Sequence, residues 1–268
     1  MTPRLSTFLL VAILLPTAAW QSSEAANIGL DTAAATAYDS GWLNGTDGSI
    51  SGDAFIPWGL STAGTDTDNT AGHLIGDSTQ LDGGNGADIN TTGESFEMWG
   101  EGTASANAFR TFNGGDLGVG QTFSIDIAVN FRNGNKGINL RDDNTEIFNF
   151  NIGGDDYVVN NAATGNGSIG DTYSADTAFN LSFTQTSVGG GDWSITRSGG
   201  VNDVDSGTYL GSPDNFQLYV AGTDQTSVPN GNPADRLYAN SPQIIPEPAA
   251  GLLLTLALLF LKARRRRD

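Results

Sequence analysis

Apolar and polar residues alternate with a period of two along most of this chain, and the clearest run is Phe123, Ile125, Ile127, Val129 and Phe131, with Ser124, Asp126, Ala128, Asn130 and Arg132 between them. That spacing predicts a half-buried strand. Asn133-Gly134 then offers hairpin chemistry, Ile138 and Leu140 resume the alternation, and Asp142-Asp143-Asn144 turns the chain again. Phe148, Phe150 and Ile152 predict the next strand, and Gly153-Gly154-Asp155-Asp156 turns it into Tyr157-Val158-Val159, so a meander emerges. Further on, Phe179, Leu181 and Phe183 face Trp193 and Ile195 across Gly189-Gly190-Gly191, and Phe216, Leu218 and Val220 form another strand. No helical period interrupts these strands. The expectation is an all-β protein: an antiparallel β-sandwich, at this length of jelly-roll type rather than an immunoglobulin-like domain of ~100 residues.

The two ends break the pattern. Arg4, the apolar run Phe8 to Leu15, Pro16 and small residues before Ala25 read as a secretory signal peptide over 1–25. At the other end, Pro246-Glu247-Pro248 is followed by an uncharged run over 249–261, then Lys262, Arg264, Arg265, Arg266 and Arg267. The prolines stop a helix from running backward, and the run after them predicts a transmembrane helix. Its 13 residues rise only ~20 Å against a hydrocarbon core of ~30 Å, so the span needs snorkelling, thinning or a partner protein. The arginines stop translocation and keep the C-terminus cytoplasmic. The division is a signal peptide at 1–25, a sandwich domain at 26–228, a Pro-rich linker with room for a last strand at 229–243, and the terminal signal at 244–268.

A Pro-Glu-Pro motif, one apolar helix and a terminal arginine cluster, in a chain with a signal peptide, resemble the PEP-CTERM sorting signal. Pro246, Glu247 and Pro248 match its motif, and Ile245 stands where that family often has valine. The resemblance covers 244–268 only. It implies export from a Gram-negative cell through the translocon, with signal peptidase acting at the front. It also implies recognition of the tail by an exosortase, transient anchoring in the inner membrane, and delivery to the cell surface or an exopolysaccharide matrix.

Composition suits such an exported protein. The chain holds 36 glycines, an excess that makes it turn-rich, and no cysteine, so neither disulfides nor thiol chemistry operate. Residues 26–245 carry 27 Asp/Glu against six Lys/Arg, a net charge of −21. A surface of that sign repels nucleic acid and anionic lipid and attracts divalent cations.

Candidate chemistry is sparse. The single histidine, His73, sits in a Gly/Thr-rich stretch and reads as a solvated loop residue; with no G-x-S-x-G elbow there is no basis for a serine triad. Glu97, Trp99 and Glu101 would share one strand face, the two acids and aromatic platform of concanavalin-like glycosidases, but Phe96 stands where the E-x-D-x-x-E pattern of those enzymes has its central aspartate. The acidic turn Asp142, Asp143, Asn144 and Glu146 offers oxygen ligands for a structural calcium, and no other cofactor is required. Gly83 to Asp88 matches the start of a calcium-binding nonapeptide, but Asn90 occupies its apolar position, so a single copy reads as a turn. The hairpin around Trp193 and the strand at Phe123 resemble concanavalin-like and laminin-G-like sandwiches. Two functions follow: a non-catalytic surface or matrix protein binding exopolysaccharide, or a secreted glycoside hydrolase using Glu97 and Glu101.

Overall fold

The computed structural model describes residues 29–49, 54–129, 133–154, 156–223 and 236–246. The signal peptide, Glu247, Pro248, the run over 249–261 and the cations Lys262, Arg264, Arg265, Arg266 and Arg267 lie outside the described residues, as do Phe131, Arg132 and Asp155. Among the described residues no helix is long and apolar enough to cross a membrane.

The strands are β1 (Gly29–Leu30), β2 (Gly59–Ala63), β3 (Ala71–Gly76), β4 (Ser95–Gly100), β5 (Ser105–Thr111), β6 (Thr122–Val129), β7 (Asn135–Asp142), β8 (Thr145–Asn151), β9 (Val158–Asn161), β10 (Gly165–Ser168), β11 (Ala178–Ser187), β12 (Gly190–Ser198), β13 (Asp203–Leu210), β14 (Asn215–Ala221) and β15 (Leu237–Ile245). They form two antiparallel sheets. One runs β13-β12-β11-β6-β15-β4-β3 with β1 added against β15, and the other runs β10-β9-β8-β7-β14-β5-β2. Period-2 alternation turns one face of each sheet inward, and Phe123, Ile125, Ile127, Phe179, Leu181 and Phe183 meet Leu140, Phe148, Phe150, Phe216 and Leu218 in one buried core. Aromatic contacts cross the gap: Phe123 stacks on Phe216 at 4.8 Å, and Phe148 meets Phe183 edge-on at 4.9 Å.

Two expectations change. Asn133-Gly134 does not close a hairpin, because β6 pairs with β11 and β15 whereas β7 pairs with β14 and β8. The segment carries the chain from one sheet to the other. A period-2 pattern on both sides of a turn is the same whether the strands pair side by side or face each other across a core, so sequence spacing does not distinguish the two. The meander begins only at β7, continuing through β8 and β9 to β10.

The second change concerns 229–243. The last strand for which the Pro-rich linker left room is there from Leu237; it lies in the middle of the eight-stranded sheet and continues through Ile244 and Ile245, residues expected in the sorting tail. Leu237, Ala239 and Ile244 are buried in the core. Pro242 sits at a bulge where the register against β6 slips between Asn240 and Gln243 and Ser241 takes φ 53°. The bulge needs no N–H from Pro242, and its carbonyl accepts the Asp31 N–H at 3.0 Å.

Residues ahead of β2 hold to the sandwich through a charge cluster centred on the buried Arg110 and Asp31. The Arg110 guanidinium, on β5, pairs with Asp31 at 2.9 Å and Asp47 at 2.6 Å and lies 4.9 Å over the Trp58 ring. Asp31 also accepts from the Tyr38 hydroxyl at 2.6 Å and the Trp58 indole at 3.1 Å.

Candidate functional site

The sequence-predicted residues do not assemble into one site. Glu97 and Trp99 share the outward face of β4, as their spacing implies, but Glu97 is only 2% exposed and is paired with the Arg236 guanidinium, which also lies 5.5 Å over the Trp99 ring. Glu101 lies past the end of β4, 7% exposed, and accepts the Thr70 hydroxyl at 2.6 Å. A glycosidase needs both carboxyls open to one substrate; these two are enclosed.

His73 is on β3, not in a loop. Its imidazole packs edge-on against Trp42 at 5.3 Å and its Nε2 lies 3.0 Å from the Asn107 carbonyl oxygen. Burial lowers its pKa from the ordinary value. Trp42, Trp58 and Trp193 are core residues, and Trp99 is the half-buried exception, its indole N–H donating to Thr70 Oγ1 at 3.2 Å.

The Asp142–Glu146 segment is the tight turn between β7 and β8, with Asp143 at φ 51°. Asp142 accepts the Ser212 N–H at 3.0 Å, the Asp143 N–H donates to Asp214 at 2.9 Å, the Asn144 carbonyl takes the Arg141 guanidinium, and Glu146 faces solvent. Among the described residues, no three acidic or imidazole side chains converge as a metal site would require. Asn90, in the nonapeptide-like stretch, is tied to Ser78 and Asp77 instead.

What the fold does assemble is a face that spacing along the chain does not announce. On the seven-stranded sheet, the strand registers align Phe109 (β5), Gln217 (β14), Asn139 (β7), Asn149 (β8), Asn160 (β9) and Asn166 (β10) in one row across the strands, on the side away from the core. A second row places Asn107, Tyr219, Gly137 and Asn151 beside it. At ~4.8 Å per strand, the first row is about 24 Å long.

The side chains are joined in a chain of amides. Gln217 donates to Asn107 Oδ1 at 2.8 Å and accepts from Asn139 and Arg141, each at 3.3 Å; Asn149 donates to Asn139 Oδ1 at 2.6 Å and to the Tyr219 hydroxyl at 2.8 Å. The row sinks in the middle, where Asn139 is 8% exposed, and rises at its ends, where Phe109 is 37% exposed and Asn166 is open to solvent. Gly137 permits this packing: a Cβ there would lie 2.9 Å from the Tyr219 hydroxyl and 1.9 Å from the Phe150 carbonyl oxygen. Burial pushes the Tyr219 phenol up to about 12, so it remains an uncharged donor at neutral pH.

Amides present a donor and an acceptor together in a fixed plane, and aromatic faces beside them supply apolar area. Asn and Gln are uncommon in strands. Their recurrence between buried apolar residues, as in Phe148-Asn149-Phe150-Asn151 and Phe216-Gln217-Leu218-Tyr219, is a signal that was present in the sequence. Only the registers show that these positions share one row.

No protein-family model matches the chain, and no curated protein matches it. Solved structures give distant likenesses. An alginate lyase from Corynebacterium sp. has a TM-score of 0.40 at 12% identity, over 70% of this chain and 92% of its own. The receptor-binding domain of botulinum neurotoxin D has a TM-score of 0.37 at 14% identity, over 70% of this chain and 47% of its own. A family 11 carbohydrate-binding module from Clostridium thermocellum, in complex with a β-1,3-1,4-mixed-linked tetrasaccharide, has a TM-score of 0.33 at 12% identity, over 82% of this chain and 97% of its own. With every TM-score below 0.5, the functional reading rests on the chain's own residues.

Proposed function

We propose that this protein is an exported, non-catalytic polysaccharide-binding sandwich of jelly-roll, concanavalin-like type, and that its binding surface is the amide face of the seven-stranded sheet. The observation that carries the reading is the continuous row from Phe109 to Asn166, whose amides are held in place by one another and by Tyr219. Sugar hydroxyls both donate and accept, and an ordered amide satisfies such a pair without the cost of ordering a flexible chain. The acids Glu97 and Glu101 lend the hydrolase alternative no support, being enclosed and partnered. A glycan array on the purified protein tests the reading. Binding to at least one polysaccharide is expected, with Gln217→Ala and Asn149→Ala each weakening it about tenfold; a protein retained by no glycan, or variants that bind as well as the parent, would overturn it.

The export half of the proposal rests on the PEP-CTERM resemblance of 244–268, with an exosortase as partner and the cell surface or extracellular matrix as destination. It gains support from the position of the motif: β15 ends at Ile245, so Pro246 is the first residue past the sandwich, and a cut beyond it would leave every strand in place. Replacing Pro246 and Glu247 by alanine should retain the protein in the inner-membrane fraction, and unchanged release to the surface would remove the exosortase from the account.

A further inference from the structure

The identity of the sugar can be taken one step further, on the premise that the amide face is the binding surface. We infer that it takes a neutral polysaccharide chain lying across the strands, from β5 toward β10, and that it rejects uronate-rich or sulfated polymers.

The cations of this chain point to a neutral ligand. Anionic glycans are held by arginine and lysine, which give charge-assisted and often bidentate contacts. Among the described residues nearly every cation is committed elsewhere. Arg110 is buried against Asp31 and Asp47, Arg197 is buried against Asp203 and Asp205, Arg236 pairs with Glu97, and Lys136 is fully buried, its ammonium 3.1 Å from Asn133 Oδ1. Among the described residues only Arg141 reaches the amide face, and its guanidinium is held by Gln217 Oε1 and the Asn144 carbonyl. With 27 acidic against six basic residues over 26–245, an approaching polyanion meets a field of its own sign.

The row also sets a direction. The row's polar groups repeat from strand to strand, so a chain lying along it meets an amide at each step, whereas a chain lying along one strand would meet only one or two. The two ends differ: Phe109 offers an exposed ring to one end of the chain, whereas the half-buried Asn160 and the exposed Asn166 present amides at the other.

Affinity electrophoresis of the full-length protein through gels holding either a neutral glucan or a polyuronate tests both parts. Retardation by the neutral glucan, unchanged when NaCl is raised to about 0.5 M, is the expected result, because no charge pair is there to be screened. Phe109→Ala and Asn166→Ala should each weaken binding to the long glucan about tenfold and leave a trisaccharide's affinity unchanged, since a short ligand does not reach the ends. Retention by the polyuronate that disappears with salt and with Arg141→Gln would overturn the neutral specificity while leaving the amide face as the binding surface. End variants that bind the long glucan as the parent does would overturn the direction. Retention by neither polymer would bring down the carbohydrate reading itself.

Discussion

Asn240 shows how much one residue can hold. It is fully buried at the bulge of β15, donates to the carbonyls of Ile89 and Glu94 at 2.9 and 3.0 Å and to Thr91 Oγ1 at 3.3 Å, and accepts from the N–H groups of Ala33 and Ser241 at 3.1 and 2.9 Å. Removing the amide leaves several buried backbone groups unpaired, so Asn240→Ala should cost about 3 kcal/mol in urea unfolding. His73 makes a separate claim. Its folded pKa lies below the ordinary 6.5, so the unfolded chain takes up the proton first, and the stability that neutral His73 contributes is present above 6.5 and lost as pH falls through the folded value. Asp31 runs the opposite way: burial raises its pKa above 3.8, so its contribution is present at lower pH and fades as pH rises through the folded value. Because the chain has one histidine, the difference in pH profile between the parent and His73→Gln isolates the imidazole. The parent should lose stability relative to that variant as pH falls below about 6.5; identical profiles would show that the imidazole is not held neutral.

At the scale of the element, β15 matters most because it lies between β6 and β4, and every strand on the β4 side joins the sheet through it. Ending the chain before Leu237 should abolish cooperative thermal unfolding, since it removes Leu237, Ala239 and Ile244 from the core and leaves two strand edges bare. Ending it after Pro246 should leave the melting temperature within about 2 °C of the parent. The strands most legible from the sequence were those with long alternation, β6, β11, β12 and β14. Strand β15 was harder to see because a proline and a register slip interrupt its period, and the path from β6 to β7 because Asn133-Gly134 suits either a hairpin or a crossing between sheets.

Across the whole molecule, two kinds of information separate. Alternation, turn residues and the lack of a helical period determined an all-β sandwich, because burial of one strand face is a local property that each side chain reports by itself. The charge balance likewise came from composition alone. The amide face did not: Gln217 and Asn107 are 110 positions apart, and Asn139 lies 78 positions from Gln217. Their meeting depends on which strands pair and in what register, a property of non-local contacts that no window along the chain contains. The same holds for Glu97, whose spacing from Glu101 suggested a catalytic pair until Arg236, 139 positions away, was found to occupy it. Sequence by itself determined what kind of surface each strand could present, and tertiary structure decided which of those surfaces lie side by side.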